Sequence, residues 1–259
     1  VRAKEAVVWG SSLLGNVGTF FGHAPWSIFS LILAPVSFMV SAQLSDRNPQ
    51  SAAPRWLFGG VLVLMLVLLV RDLLILPQTA GSLTFLGAMF IVLLAPIFTF
   101  LWIWLDRYRA DPSKPFKSAL GLVFAGLSFI PLAMAAQQVG VTGAMASVWW
   151  LVAAYFILEI GEMCLSPVGL SAVTQLSVPR VVSLMMGTWF LATAFSEVLA
   201  ALFGKLASIE IIEGEAMNLV DAAAKYEHLF WLLMWIGLGC GVIAFLFVIP
   251  LKKLMHGVK

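Results

Sequence analysis

The stretch ASVWWLVAAYFILEIGEMCLSPVGLS, residues 146–171, decides how the chain is read. Its first part, 146–165, is apolar on every side except at Glu159 and Glu162. A helix about 20 residues long spans the ~30 Å hydrocarbon core of a bilayer. The two acids inside such a span are costly there, by about 2.5–3.5 kcal/mol each on insertion scales. An intramembrane acid is therefore expected to face a bundle interior or a water-filled cavity.

The same pattern repeats outward from this stretch. Further runs that suit a bilayer span cover 26–44, 56–76, 84–105, 117–137, 182–204 and 228–251. An eighth, 6–21, is weaker, being rich in Gly and Ser and holding Asn16. Hydrophobic residues make up 61% of the chain and charged residues 11%. A soluble domain carries about 25% charged residues. The composition therefore points to an all-α membrane protein of seven to eight transmembrane helices. The apolar runs are continuous rather than alternating, which excludes a β-barrel reading.

Loop charge orients the spans. With a cytoplasmic N-terminus and eight crossings, twelve of the 15 Lys and Arg residues fall on the cytoplasmic side. Only Arg71, Lys205 and Lys225 fall outside or at the outer edge. This bias places the C-terminus in the cytoplasm. The outer segment 209–227 is acid-rich, with Glu210, Glu213, Glu215, Asp221 and Glu227. The net charge of +2 is not gathered on a polar domain, so no nucleic-acid partner is expected. Leu33-Ala34-Pro35 recurs as Leu94-Ala95-Pro96, and Pro54 as Pro115, at one offset. Such an echo suits the internal repeats of transporters, although short loops between apolar helices also resemble each other by composition.

Three acids fall within spans: Glu159, Glu162 and Glu197. Glu159 and Glu162 are three apart on one helix and so share a face. Acids that close repel each other, which favours one of them holding a proton. All three are proton-coupling candidates. Against that stands a structural role for Glu159, and for Glu197 an outer-end couple with Lys205. Ser166-Pro167 removes a backbone hydrogen bond within the quoted stretch and is expected to loosen or break the helix there. Gly169 then allows a close backbone approach. Pro35 and Pro96 are expected to kink their spans, and 111–115 to form a rigid turn. Cys164 and Cys240 sit in apolar runs with no metal or disulfide spacing, and His23, His228 and His256 read as interface residues. No HExxH, GxSxG or other nucleophile motif is present, so no enzyme activity and no cofactor is expected.

Residues 158–201 resemble the signature of the proton-dependent oligopeptide transporter family, within the major facilitator superfamily. The residues that carry the likeness are Glu162 in Gly-Glu-Met, Leu-Ser-Pro-Val-Gly-Leu-Ser (165–171), Val-Pro-Arg (178–180) and Ser-Leu-Met-Met-Gly-Thr-Trp-Phe-Leu (183–191). Residues 90–102 and 111–122 resemble the family's eighth helix and the start of its ninth, and Ile249–Lys253 the end of its twelfth. The resemblance implies a C-terminal six-helix bundle over 51–259 and two extra helices over 1–50 that link the bundles. It also implies proton-coupled uptake of di- and tripeptides across the inner (plasma) membrane, with protons as the only coupling species. Its partners would be a small peptide, the lipid bilayer and an N-terminal six-helix bundle that precedes this chain. Glu162 would meet the peptide's amino terminus, with Ser166 and Trp189 close to the pocket.

The chain departs from the family pattern in places. A Phe-Glu-Gln motif is lacking in 56–76, Gly87-Ala88 stands where the family usually has Asn-Pro, and Ser196-Glu197 where it usually has Gly-Asn. These departures leave the substrate open. They also leave room for a second reading, a non-transporting membrane scaffold or sensor derived from the transporter fold.

Overall fold

The computed structural model describes residues 26–47, 52–75, 85–206 and 219–255. The weak span 6–21 lies outside these residues. Among the described residues the regular structure is helical throughout, with no strand.

The chain separates into two compact units, 1–85 and 86–259. The first holds a helical hairpin of α1 (Trp26–Arg47) and α2 (Ala53–Ile75). Ser30, Ala34, Ser37 and Ser41 are buried on α1, and Met65, Leu69 and Asp72 on α2. Each set advances by three or four residues, so each forms one helix face. Ser37 donates to the Ala34 carbonyl at 2.8 Å, and Ser41 to the Ser37 carbonyl at 2.5 Å. The small hydroxyls thereby satisfy themselves while the two helices close together. Phe38 meets Phe58 edge-on across the hairpin, with ring centroids 5.6 Å apart.

The second unit holds α3 (Phe85–Arg107), α4 (Lys114–Leu127), α5 (Phe129–Thr142), α6 (Val148–Leu176), α7 (Val182–Leu206) and α8 (Leu219–Leu254). Helices α4 and α5 form one interrupted span. With it, five helical stretches among the described residues are long and apolar enough to cross a membrane: Phe85–Arg107, Lys114–Thr142, Val148–Leu176, Val182–Lys205 and Val220–Leu254.

Local chemistry explains the joints. Helix α3 ends in a turn where the Ala110 N–H reaches the Leu105 carbonyl (3.0 Å) and the Arg109 N–H reaches Asp106 (2.9 Å). This is the Schellman pattern, and Arg109 takes its left-handed position at φ 55°. A glycine would sit there without strain; a residue with a Cβ loses roughly 1–2 kcal/mol. Pro115 stands in the first turn of α4, where its missing N–H costs nothing. The interruption at Ser128 precedes Pro131, which cannot donate to the Leu127 carbonyl. Beside this interruption the Ser128 hydroxyl donates to the Ala125 carbonyl at 2.7 Å. Gly143, at φ 65°, closes α5, and the Ser147 hydroxyl accepts from the Trp149 N–H at the start of α6.

Backbone meets backbone in the middle of the bundle. A Cβ on Gly121 of α4 would lie 2.8 Å from the Gly161 carbonyl oxygen of α6, and one on Gly161 would lie 2.7 Å from that of Gly121. On another side of α4, a Cβ on Gly126 would lie 2.8 Å from the Leu238 nitrogen of α8, and one on Gly237 would lie 2.6 Å from Gly126 Cα. Lipid gives no hydrophobic drive for helix pairing, so close packing of this kind supplies the cohesion. Phe116 against Phe245 and Phe129 against Phe230 extend the contact of α4 and α5 with α8.

Two sequence expectations are corrected here. Helix α6 is not broken at Ser166-Pro167 but runs on to Leu176. Proline removes one bond, to the Met163 carbonyl, and a long packed helix absorbs that loss. Helix α8 starts at Leu219, nine residues before the span read at 228–251, and so takes in Asp221–Glu227 of the outer segment. Pro35 and Pro96 lie inside α1 and α3.

Candidate functional site

Glu159, Glu162, Ser166 and Gly169 advance along α6 by three, four and three residues, so they form one stripe. Each meets different surroundings. Glu162 is half-buried, and the Ser166 hydroxyl, one turn on, donates to its Oε1. A hydroxyl that usually bonds its own backbone has here turned to a carboxylate, a stronger, charge-assisted arrangement. One carboxylate is thereby oriented and remains reachable. Three residues beyond Ser166, the indole of Trp189 lies directly on Gly169, where any side chain would collide with the ring. This contact brings α7 onto the stripe.

Glu159 differs. Only 6% of it is exposed, and its Oε2 has no hydrogen-bond partner among the described residues. Its Oε1 rests against α3 at Gly87: a Cβ there would lie 2.8 Å from that oxygen. Tyr155 flanks the same point. Phe90, one turn along α3, meets Phe156 edge-on with centroids 5.6 Å apart. Leaving a buried carboxylate both ionised and unpaired costs several kcal/mol. A neutral group short of one partner costs about 1–3 kcal/mol.

The structure therefore brings Glu159, Glu162, Ser166 and Trp189 to one stripe. Glu197 stays apart. It is exposed on α7, eight residues or about 12 Å along the helix from Trp189.

Other polar contacts tie the helix ends around this stripe. Lys117 is buried, its Nζ 2.7 Å from Asp111 Oδ1 and 4.2 Å from the centroid of the Trp102 ring. This clamp joins the end of α3 to the start of α4. Lys114 donates to Gln175, tying the same corner to the end of α6. A lysine one turn into an apolar helix, six residues after an aspartate, was the available clue. At the other end, Trp150 Nε1 donates to Gln138 Oε1 at 2.9 Å and joins α5 to α6.

The model of the POT family matches residues 74–220, more than half of the chain. The peptide transporter YePEPT of Yersinia enterocolitica is 30% identical over 175 residues, 67% of this chain and 32% of that protein. The di-/tripeptide transporter of Lactococcus lactis is 34% identical over 174 residues, again 67% of this chain and 32% of that protein. The chain spans about a third of the length of these curated relatives. A crystal structure of the peptide transporter POT in complex with sulfate superposes with a TM-score of 0.57 at 25% identity. It covers 96% of this chain and 49% of that one.

Proposed function

This chain belongs to the POT family, and from that premise we propose that it forms the C-terminal part of a proton-coupled carrier of di- and tripeptides. Residues 1–50 are the two extra linking helices and 51–259 the C-terminal bundle. An N-terminal six-helix bundle covers the open side of the stripe, and the peptide binds between the two halves near the midplane. The protein sits in the inner membrane with its C-terminus in the cytoplasm, as the excess of cytoplasmic Lys and Arg supports.

One observation carries this reading: Glu162 is an intramembrane carboxylate that is oriented by Ser166 yet half open. Such a group suits a peptide's ammonium, which offers three donors and a full charge. Trp189, seated on Gly169, forms an apolar wall one to two turns away and gives peptide side chains a surface. Of the proton-coupling candidates, Glu162 is the one placed to exchange a proton for an ammonium, because it alone is both oriented and reachable. Glu197 stands on exposed surface and has no such setting.

Proton-driven dipeptide uptake by the full-length protein in proteoliposomes tests the assignment. Glu162→Gln keeps the shape but removes the charge. Apparent dipeptide affinity is expected to weaken by about tenfold or more, the size of roughly 1.4 kcal/mol. Unchanged affinity and unchanged proton dependence would remove Glu162 from the role.

A further inference from the structure

Glu159 is not needed for the role just given to Glu162. It points instead into the contact between α6 and α3. We propose that Glu159 and Gly87 together form a proton-binding site enclosed within the C-terminal bundle, in which the Glu159 carboxyl holds a proton of its own, separate from any that Glu162 exchanges.

Geometry carries this. The side chain is more than nine-tenths buried, and Oε2 has no partner among the described residues. Among the described residues no cation pairs with it. From α3, the ionisable residues Asp106 and Arg107 stand at the far end of the helix. Helix α4, which crosses α6 at Gly121 and Gly161, brings Lys114 and Lys117 near its own start, the first held by Gln175 and the second by Asp111. Helix α5 carries no ionisable residue. On α7 the ionisable residues are Glu197 and, in the last turn, Lys205, both exposed. On α6 itself the neighbours are Tyr155 and Glu162, and neither offers a positive charge. A second anion one turn from Glu162, in an apolar contact, is the arrangement that protonation relieves.

Gly87 is the other half of the site. The carboxyl oxygen occupies the place a Cβ would need, so a side chain at 87 would push the Glu159 carboxyl out of this seat. Proton binding here is simple addition, carboxylate plus H⁺ giving the neutral acid, and requires no co-reactant. The site deepens the proton-coupled reading, but the protonation belongs to the bundle and is measurable without transport.

Infrared difference spectroscopy on the purified protein in lipid, across a pH series, reads the protonated-carboxyl carbonyl band directly. The wild type is expected to hold such a band at neutral pH, Glu159→Gln to lose it, and Glu162→Gln to keep it. Gly87→Ala is expected to move the band or its titration, because the carboxyl loses its seat. A second measurement needs no variant: dicyclohexylcarbodiimide, which reacts with protonated acids in apolar sites, is expected to modify Glu159 in preference to Glu162 when mapped by mass spectrometry. Identical spectra for wild type and Glu159→Gln would overturn the site, as would modification of Glu162 alone. A spectrum unaltered by Gly87→Ala would overturn the part given to Gly87. Failure to carry peptides, with the Glu159 band intact, would count against the transport reading alone.

Discussion

Helices α4 and α7 are both apolar and both contain glycine, yet glycine does opposite things in them. On α4, Gly121 and Gly126 bring the backbone against α6 and α8, with 2.8 Å between a would-be Cβ and the opposing backbone atom in each case. On α7, a Cβ at Gly187 or Gly204 would meet nothing within 4 Å, and the apolar stretch of α7 has none of its residues buried. Small residues in a membrane helix mark close packing only where a second helix is present to exploit them. The contrast divides the bundle into a fixed centre, α4 with α6 and α8, and a helix attached to it mainly through Trp189.

The contrast can be broken at several points. The largest effect is expected from Gly161→Leu. Overpacked cores usually lose about 1–3 kcal/mol, but here the obstacle is the Gly121 carbonyl and Ala125 nitrogen, which cannot rotate away. Loss of monodisperse protein in size-exclusion chromatography is the expected result. Normal yield and melting temperature would mean that the α4–α6 contact is not what holds the centre. Next comes Lys117→Met, which strands Asp111 at the foot of the same centre. Breaking a buried pair costs about 3–5 kcal/mol; the partial exposure of Asp111 reduces this to about 2 kcal/mol. Thermal unfolding should register the loss, with partial recovery when Asp111→Asn is added.

Smaller effects belong to α7. Trp189→Ala removes a half-buried ring, and about 1–2 kcal/mol is expected, well short of the roughly 3–5 kcal/mol of a fully buried aromatic. Dipeptide affinity should fall with it if the ring is a pocket wall. Smallest of all, Gly187→Ala and Gly204→Ala should stabilise slightly, by up to about 1 kcal/mol of helix propensity. A clear loss at either position would sharpen the comparison, because it would locate a neighbour that packs on α7 in the full-length protein.

Much of the helix plan was legible because a bilayer span has a strict length and because apolar runs announce themselves. The spans at 84–105 and 182–204 match α3 and α7 closely. The grouping of Glu159 with Glu162 followed from spacing alone. Less legible were places where tertiary packing overrides a local signal. Ser166-Pro167 reads as a stop, but α6 is gripped by α4 before it and by Trp189 after it, and one missing bond does not end it. The stretch Asp221–Glu227 reads as lying before the last span, yet it is helical in α8, with Ala222 and Ala223 buried. The Glu159 site was half legible: the acid was conspicuous, while Gly87, 72 positions earlier, stood out only as a departure from the family pattern. Nothing in a linear text pairs a missing Cβ with a distant carboxyl.

The two glycines of α4 also constrain how this helix can change over time. Gly121 and Gly126 stand about 140° apart around the axis, so one faces α6 and the other α8. Substitutions on the remaining surface leave that division intact. An insertion or deletion between them would swing one contact by about 100° relative to the other and drive a side chain into a carbonyl. Helix α4 thus behaves as a shim cut to a fixed pitch: its lipid-facing letters are free to drift, while the number of residues from 121 to 126 is not.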